Sequence, residues 1–149
     1  MIIGMESQSR NIFDDVRQAP FKFHLTGSRF FAPEYVSQNT TDYDFFVLHS
    51  LSLMSWLNIN RFQKLSRYDG EYSEIRRDPH ILAVYRLIPN NTPQVDIQII
   101  RNEYSYKVKQ IANDVIKAII PSLVYNGMSK TDRGAVWRST YKFVMNKLL

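Results

Sequence analysis

The sequence predicts an α+β fold: a small mixed or antiparallel sheet of about four strands, backed by helices and followed by a C-terminal helical segment. Three observations predict it. Short β-prone runs occur at 21–25, 43–48, 81–88 and 95–100. Longer stretches repeat apolar residues every three or four positions. The two kinds do not alternate strictly, because the last two strand runs follow one another directly, which excludes a plain βαβ series.

Taken in order, residues 7–18 read as a short helix, with Ser7 or Ser9 as cap and Ile12, Phe13 and Val16 at helical spacing. Pro20 closes it. Phe21-Lys22-Phe23-His24-Leu25 alternates apolar and polar residues, as a half-buried strand does. Gly27-Ser28 breaks the pattern, and 29–41, with Pro33, Ser37, Asn39, Thr40 and Thr41, reads as a turn of helix and then loop. Tyr43 to Leu48 is the second strand. Leu51, Met54, Trp56, Leu57, Phe62 and Leu65 suggest a helix over about 50–66. Residues 67–79 are polar and read as loop or edge segment.

Ile81 to Ile88 and Val95 to Ile100 are the third and fourth strands, joined by the turn signal Pro89-Asn90-Asn91-Thr92-Pro93, so 81–100 reads as a hairpin. Tyr104, Val108, Ile111, Val115 and Ile119 then mark a helix that Pro121 ends. Asn126-Gly127 breaks the chain. Thr131 or Asp132 is placed to cap a last helix with Val136, Trp137, Tyr141, Val144 and Leu148 inward. His24 and His49 read as strand residues and His80 as loop, without metal-ligand spacing.

The chain of 149 residues is expected to form one domain, with a core at 20–100 and a basic helical segment at 101–149. There is no repeat, no low-complexity tract and no apolar run long enough to span a bilayer, so no membrane association is expected. The start, Met1-Ile2-Ile3-Gly4-Met5-Glu6, lacks the regions of a signal peptide. Cysteine is absent, which rules out disulfide and thiolate chemistry and suits a cytoplasmic protein. Charge is divided unevenly. Residues 1–100 carry ten Lys/Arg against eleven Asp/Glu, a net of −1, whereas 101–149 carry nine against three, a net of +6. A basic last third suggests an anionic partner such as a triphosphate, a nucleic acid or an acidic protein.

Three acids stand where acids are expensive. Asp42 and Asp44 flank Tyr43 at the start of an apolar strand, and Asp96 lies between Val95 and Ile97. Asp is a poor strand former, and an unpaired buried charge is costly. Residues two apart in a strand share a face, so Asp42 and Asp44 project together, roughly 7 Å apart at their backbones. Three carboxylates on one sheet face suit Mg²⁺ or Mn²⁺, which take few carboxylates and leave room for phosphate oxygens. Two such ions about 3.5–4 Å apart clamp both oxygens of an in-line phosphoryl displacement. Gly27-Ser28 supplies the complementary half, since glycine lets a backbone approach phosphate and a helix start presents N–H groups to an anion.

The ordered combination is Phe23-His24-Leu25-Thr26-Gly27-Ser28, then Asp42-Tyr43-Asp44-Phe45-Phe46, then Val95-Asp96-Ile97. It resembles the polymerase-beta-like nucleotidyltransferase superfamily over roughly residues 20–100. Gly27-Ser28-Arg29, and Thr41 just before Asp42, are similar to its small bacterial or phage-type members. Trp56-Leu57 and Phe62 sit where such members carry the helix between core strands. The resemblance implies that Gly27 and Ser28 hold the β- and γ-phosphates of a nucleoside triphosphate. It implies that Asp42 and Asp44 bind two Mg²⁺ or Mn²⁺ ions, and that Asp96 holds the catalytic ion and helps deprotonate an acceptor hydroxyl. The reaction implied is transfer of a nucleoside monophosphate from NTP, ATP among them, with release of pyrophosphate.

Lesser candidates follow. Arg29 adjoins the Gly-Ser turn within reach of phosphate. Lys107, ahead of Lys109, occupies the helix from which related enzymes direct a cation toward the triphosphate. Tyr104 or Tyr106 could stack on a base, with core packing as the plainer role. Phe30-Phe31-Ala32-Pro33 is bulkier than the small residues of many relatives, a departure that would narrow the pocket or redirect the acceptor. The acceptor expected is RNA, in particular a tRNA end, or a protein hydroxyl as in minimal toxin–antitoxin nucleotidyltransferases, or a small molecule such as an aminoglycoside. The basic last third is expected to form the acceptor surface unless a protein partner supplies it. Two other classes compete: a non-catalytic protein of the same fold acting as regulator, inhibitor or antitoxin-like partner, and a plain nucleic-acid-binding domain.

Overall fold

The computed structural model describes residues 12–65, 78–88 and 92–149. The expected cap at Ser7 or Ser9, most of the 67–79 segment and the tip of the 89–93 turn lie outside them. The described chain runs α1 (Ile12–Gln18), β1 (His24–Thr26), α2 (Ser28–Phe31), a 3-10 turn (Pro33–Tyr35), β2 (Tyr43–Leu48), α3 (Leu51–Ile59), β3 (Phe62–Lys64), β4 (Ile81–Leu87), β5 (Val95–Ile100), α4 (Glu103–Ile119), α5 (Ser122–Asn126) and α6 (Lys130–Lys147). The class is the α+β expected.

The five strands form one mixed sheet in the order β1-β2-β5-β4-β3. β2 and β5 run parallel at its centre. The remaining pairs are antiparallel, including the β4–β5 hairpin foreseen from the turn signal. Alternation along β5 sorts the two faces. Val95, Ile97 and Ile99 are fully buried against Phe45, Val47, Leu53 and Leu57, with Val16 of α1 joining them. At roughly 1.5–3 kcal/mol for each large apolar side chain removed from water, this layer is the main source of cohesion. The intervening residues, Asp96, Gln98 and Ile100, turn to the side covered by α4, which packs in turn against α6.

The expected helix over 50–66 is corrected to α3 plus a fifth strand. Ser50 caps α3 by accepting from the Leu53 N–H (3.1 Å). At the other end the Asn60 amide donates back to the Trp56 carbonyl (2.8 Å), and Arg61 takes the left-handed conformation at φ 68°. That turn ends the helix and sends Phe62 into the sheet, where it pairs with Leu87. The apolar spacing of Phe62 and Leu65 fitted a helix only by coincidence.

Smaller differences are also physical. The first strand covers 24–26 rather than 21–25, yet Phe21 and Phe23 still pack edge-on or tilted against Trp56. His49 lies one residue past the end of β2. α6 starts earlier than expected, capped by the Ser129 hydroxyl, which accepts from the Asp132 N–H (3.1 Å). Leu148 lies beyond the helix and is exposed rather than inward. α4 is rotated from its expected phase. Tyr104 and Ile119 face solvent, and the buried face is Ser105, Val108, Lys109, Ala112, Asn113 and Ile116.

Candidate active site

One transverse row of the sheet is polar across all five strands. Thr26 of β1 registers with Asp44 of β2, Asp44 with Asp96 of β5, Asp96 with Arg86 of β4, and Arg86 with Gln63 of β3. Registered residues share a face, so Asp44 and Asp96 stand side by side on neighbouring parallel strands. Asp42 lies just ahead of β2, exposed at the rim. All three acids line one cavity of about 370 Å³, together with Gly27 and Ser28.

Gly27 is required where it stands. Its backbone is left-handed, at φ 68° and ψ −161°, a conformation that side chains disfavour. A Cβ placed there would also collide with Oδ2 of Asp44. The turn is held from above by α4. Thr26 donates its hydroxyl to Oδ1 of Asn113 (2.8 Å), and the Asn113 amide donates to the Leu25 carbonyl (3.3 Å). The Phe30 and Phe31 N–H groups close on the Gly27 carbonyl and start the four-residue α2. Phe31 then buries against Ile116 and Tyr125. The bulky residues after the Gly-Ser turn thus anchor it to the helical layer.

The acids differ in how their charge is met. Asp44 is pushed up to about 7, first by burial, then by the neighbouring charges of Asp96 and Asp42, with Arg86 and Lys130 opposing. Among the described residues its carboxylate has no hydrogen-bond or ion-pair partner. Asp96 instead receives a two-pronged grip from Arg86, Nε to Oδ1 at 2.8 Å and Nη2 to Oδ2 at 3.0 Å, between largely buried side chains.

The opposite wall comes from α4, α5 and α6. Lys109 is buried, donating to Asp78 (3.2 Å) and to the Tyr141 hydroxyl (2.8 Å), with its ammonium 4.1 Å from the Trp137 ring centre. The Tyr141 hydroxyl donates to the same Asp78 oxygen (2.5 Å). Burial lowers Lys109 below the usual lysine range against the pull of Asp78. Burial would raise Asp78, but Lys109, the Tyr141 hydroxyl and the His80 N–H outweigh it and hold it low. Nearer the acids, Tyr125, Lys130, Arg133 and Arg138 complete the lining.

The other sequence candidates lie elsewhere. Arg29 is buried beside the cavity without lining it. Its guanidinium binds the Thr41 carbonyl (2.7 and 2.9 Å) and the Gln38 carbonyl (2.9 Å), and sits 3.7 Å from the Tyr43 ring centre. It pins the loop that leads into Asp42. Lys107 is exposed and outside the lining, whereas Lys109, ranked below it, is part of it. Tyr104 is exposed, and Tyr106 shares a 2.6 Å hydrogen bond with Nε2 of His24, whose ring stacks on Phe46. Both His24 and His80 are lowered by burial. The Nδ1 of His80 meets the Ser105 hydroxyl at 2.9 Å.

Sequence reasoning missed Arg86, Asp78 and the three cavity-lining cations of α6, Lys130, Arg133 and Arg138. Arg86 carried a usable signal: a hairpin turn centred on residue 91 pairs position 86 with position 96. The α6 residues carried none, because only the packing of α6 against α4 brings them over the sheet.

Compared with family models, curated proteins and solved structures, the chain matches none. Among the described residues no helix is long and apolar enough to cross a membrane. Nor do three His, Cys, Asp or Glu side chains gather there as a ready-made metal cage. The donor chemistry nevertheless suits a divalent cation. Three carboxylates share one wall, and burial together with the charges of Asp96 and Asp42 pushes Asp44 up to about 7, a repulsion that a bound cation would relieve.

Proposed function

We propose that the chain is a divalent-metal-dependent nucleotidyltransferase of the polymerase-beta-like type, moving a nucleoside monophosphate from NTP to a hydroxyl of an RNA end or a protein. The observation that carries this reading is the registered pair Asp44–Asp96 with Gly27 pressed against Asp44. Asp42, Asp44 and Asp96 would hold Mg²⁺ or Mn²⁺. When bound, the ions neutralise the triphosphate and favour the in-line displacement.

The chain's own residues do the rest by positioning and charge. The bare backbone at Gly27 and the Ser28 hydroxyl meet phosphate oxygens. The acceptor oxygen attacks the α-phosphorus, its new bond forming as the bond to the β-phosphate oxygen breaks, and pyrophosphate leaves. The acceptor proton passes to Asp96, which the two-pronged Arg86 contact keeps oriented.

The test is incubation with each labelled NTP, Mg²⁺ or Mn²⁺, and host lysate. Label is expected on RNA or protein, and D42A, D44A or D96A should cut it about a thousandfold or more with the fold retained. Full transfer by these variants would remove the assignment.

The Arg86 grip on Asp96 favours a second reading, a nucleotide-binding regulator, inhibitor or antitoxin-like partner of the same type without turnover. It predicts metal-dependent stabilisation by NTP, about 2.7 kcal/mol at a hundred times the dissociation constant, with no label transferred.

A further inference from the structure

The cavity has two charged walls that do not touch. Asp42 and Asp44 stand on the sheet side, and Lys130, Arg133 and Arg138 on the α6 side. Among the described residues no ion pair joins one wall to the other. Mutual neutralisation is the plain purpose of such a pairing, and it would bring the charges into contact. Here Tyr125 lines the same cavity. Burial pushes its phenol up to about 12, Arg133 opposes that shift and Asp44 adds to it, so its ring is within the field of both walls.

Arg133 is fixed rather than waving in solvent. Its guanidinium lies 4.2 Å from the Tyr125 ring centre, and Nη2 donates to the Tyr125 carbonyl (2.8 Å). Its Nε–H is buried without a partner. An unmet charged donor is expensive, and an anion is what meets it. One turn along from Lys130, Gly134 leaves the helix wall bare toward the cavity, at a cost of about 1 kcal/mol against alanine in a helix.

Acids that lack a cation, facing bases that lack an anion, call for a ligand carrying both. We propose that Lys130, Arg133 and Arg138 form a polyphosphate subsite, gripping the oxygens of a metal-bound tri- or pyrophosphate from the side opposite Asp42, Asp44 and Asp96. The metal half of this ligand rests on the transfer reading above; the basic half rests on the cavity. It also turns part of the basic last third inward, where a donor's phosphates lie, rather than outward as an RNA surface. The ligand chemistry is shared by a nucleoside triphosphate and by free polyphosphate.

The test is calorimetric titration of the full chain with inorganic tripolyphosphate, and separately with ATP, each in Mg²⁺. Lys130 and Arg138 are exposed at the rim, so K130Q/R138Q should fold normally. K142Q/K147Q removes the same charge from the same helix outside the cavity. The cavity pair is expected to weaken tripolyphosphate and ATP about tenfold, and the control pair less than about twofold. R133Q should weaken both further, and if it does not fold the rim pair decides. Tighter binding of ATP than of tripolyphosphate supports the subsite with a nucleotide as its occupant; the reverse supports it with free polyphosphate.

Equal losses in both double variants, or no tripolyphosphate binding by the wild type, overturn the subsite. The two readings fail separately. Binding that depends on α6 without any label transfer keeps the subsite and removes the transferase. Label transfer with tripolyphosphate binding indifferent to α6 does the opposite.

Discussion

The two faces of the central sheet use the same strands for opposite purposes. On one face Phe45, Val47, Val95, Ile97 and Ile99 meet α1 and α3 with almost no solvent contact. On the other, the alternate residues of those strands include Asp44, Asp96 and Gln98, with Arg86 beside them, and the covering helix α4 answers with Ser105, Lys109 and Asn113. The apolar face is non-directional and tolerates repacking. The polar face depends on each hydrogen bond having its partner, and among the described residues two of the buried unmet atoms, Gln98 Oε1 and Arg133 Nε, lie at the cavity. A dry face makes the fold; a wet face, held by a helix that is itself polar on its inner side, keeps a charged cavity open.

The sharpest way to break this contrast is at Lys109. K109A removes the cation from Asp78 and the Tyr141 hydroxyl inside a buried cluster. Removing one partner of a buried pair costs about 3–5 kcal/mol, because the remaining charge is stranded. Chemical denaturation should show that loss, and K109M with D78N should recover much of it. If K109A is neutral, the cluster is not a support of the polar face.

On the dry face, L57A removes a fully buried side chain of α3 and should cost about 3 kcal/mol. Its effect should fall on stability alone, with metal and polyphosphate affinity of the folded protein unchanged. A change in affinity comparable to the loss of stability would show that the two faces are coupled through the sheet.

Asp44 reverses the usual sign. Its pKa in the folded chain is raised to about 7, above the ordinary carboxylate value that the unfolded chain keeps. The folded state therefore holds the proton more tightly. The stability from this group is complete below about pH 4 and is lost as pH rises toward and through 7. D44N should accordingly stabilise the metal-free protein at pH 8, by on the order of 2 kcal/mol, while abolishing transfer. Denaturation at pH 8 and pH 5 checks it: the gain should be large at the first and small at the second.

The dry face and the acids were legible in the sequence for one shared reason. Both are written in strand alternation, so Asp44 and Asp96 betray themselves as charges among Phe45, Phe46, Val95 and Ile97. β3 was not legible, because three residues cannot show a period, and the turn at Asn60-Arg61 carries neither Gly nor Pro. The phase of α4 was misjudged because apolar spacing was taken to mark the buried side. Against the polar row of a sheet, the side that buries is the one with Lys109 and Asn113: Asn113 hydrogen-bonds to Leu25 and Thr26 of β1, and Lys109 to Asp78 and Tyr141. The α6 cations were invisible for a third reason: their role depends on tertiary packing between elements distant in sequence.

Lys107 gives the smallest expected effect and the cleanest check of that lesson. It sits two residues before Lys109 on α4, about 200° around the helix, so the two lysines cannot face the same way. Lys109 is enclosed in the cavity wall and Lys107 is exposed on the far side. K107Q should shift stability by less than about 0.5 kcal/mol, as exposed substitutions do, and leave tripolyphosphate binding unchanged. A loss of binding as large as that of the α6 rim pair would mean that α4 turns its other side to the ligand, and that the polar row is not the floor of the site.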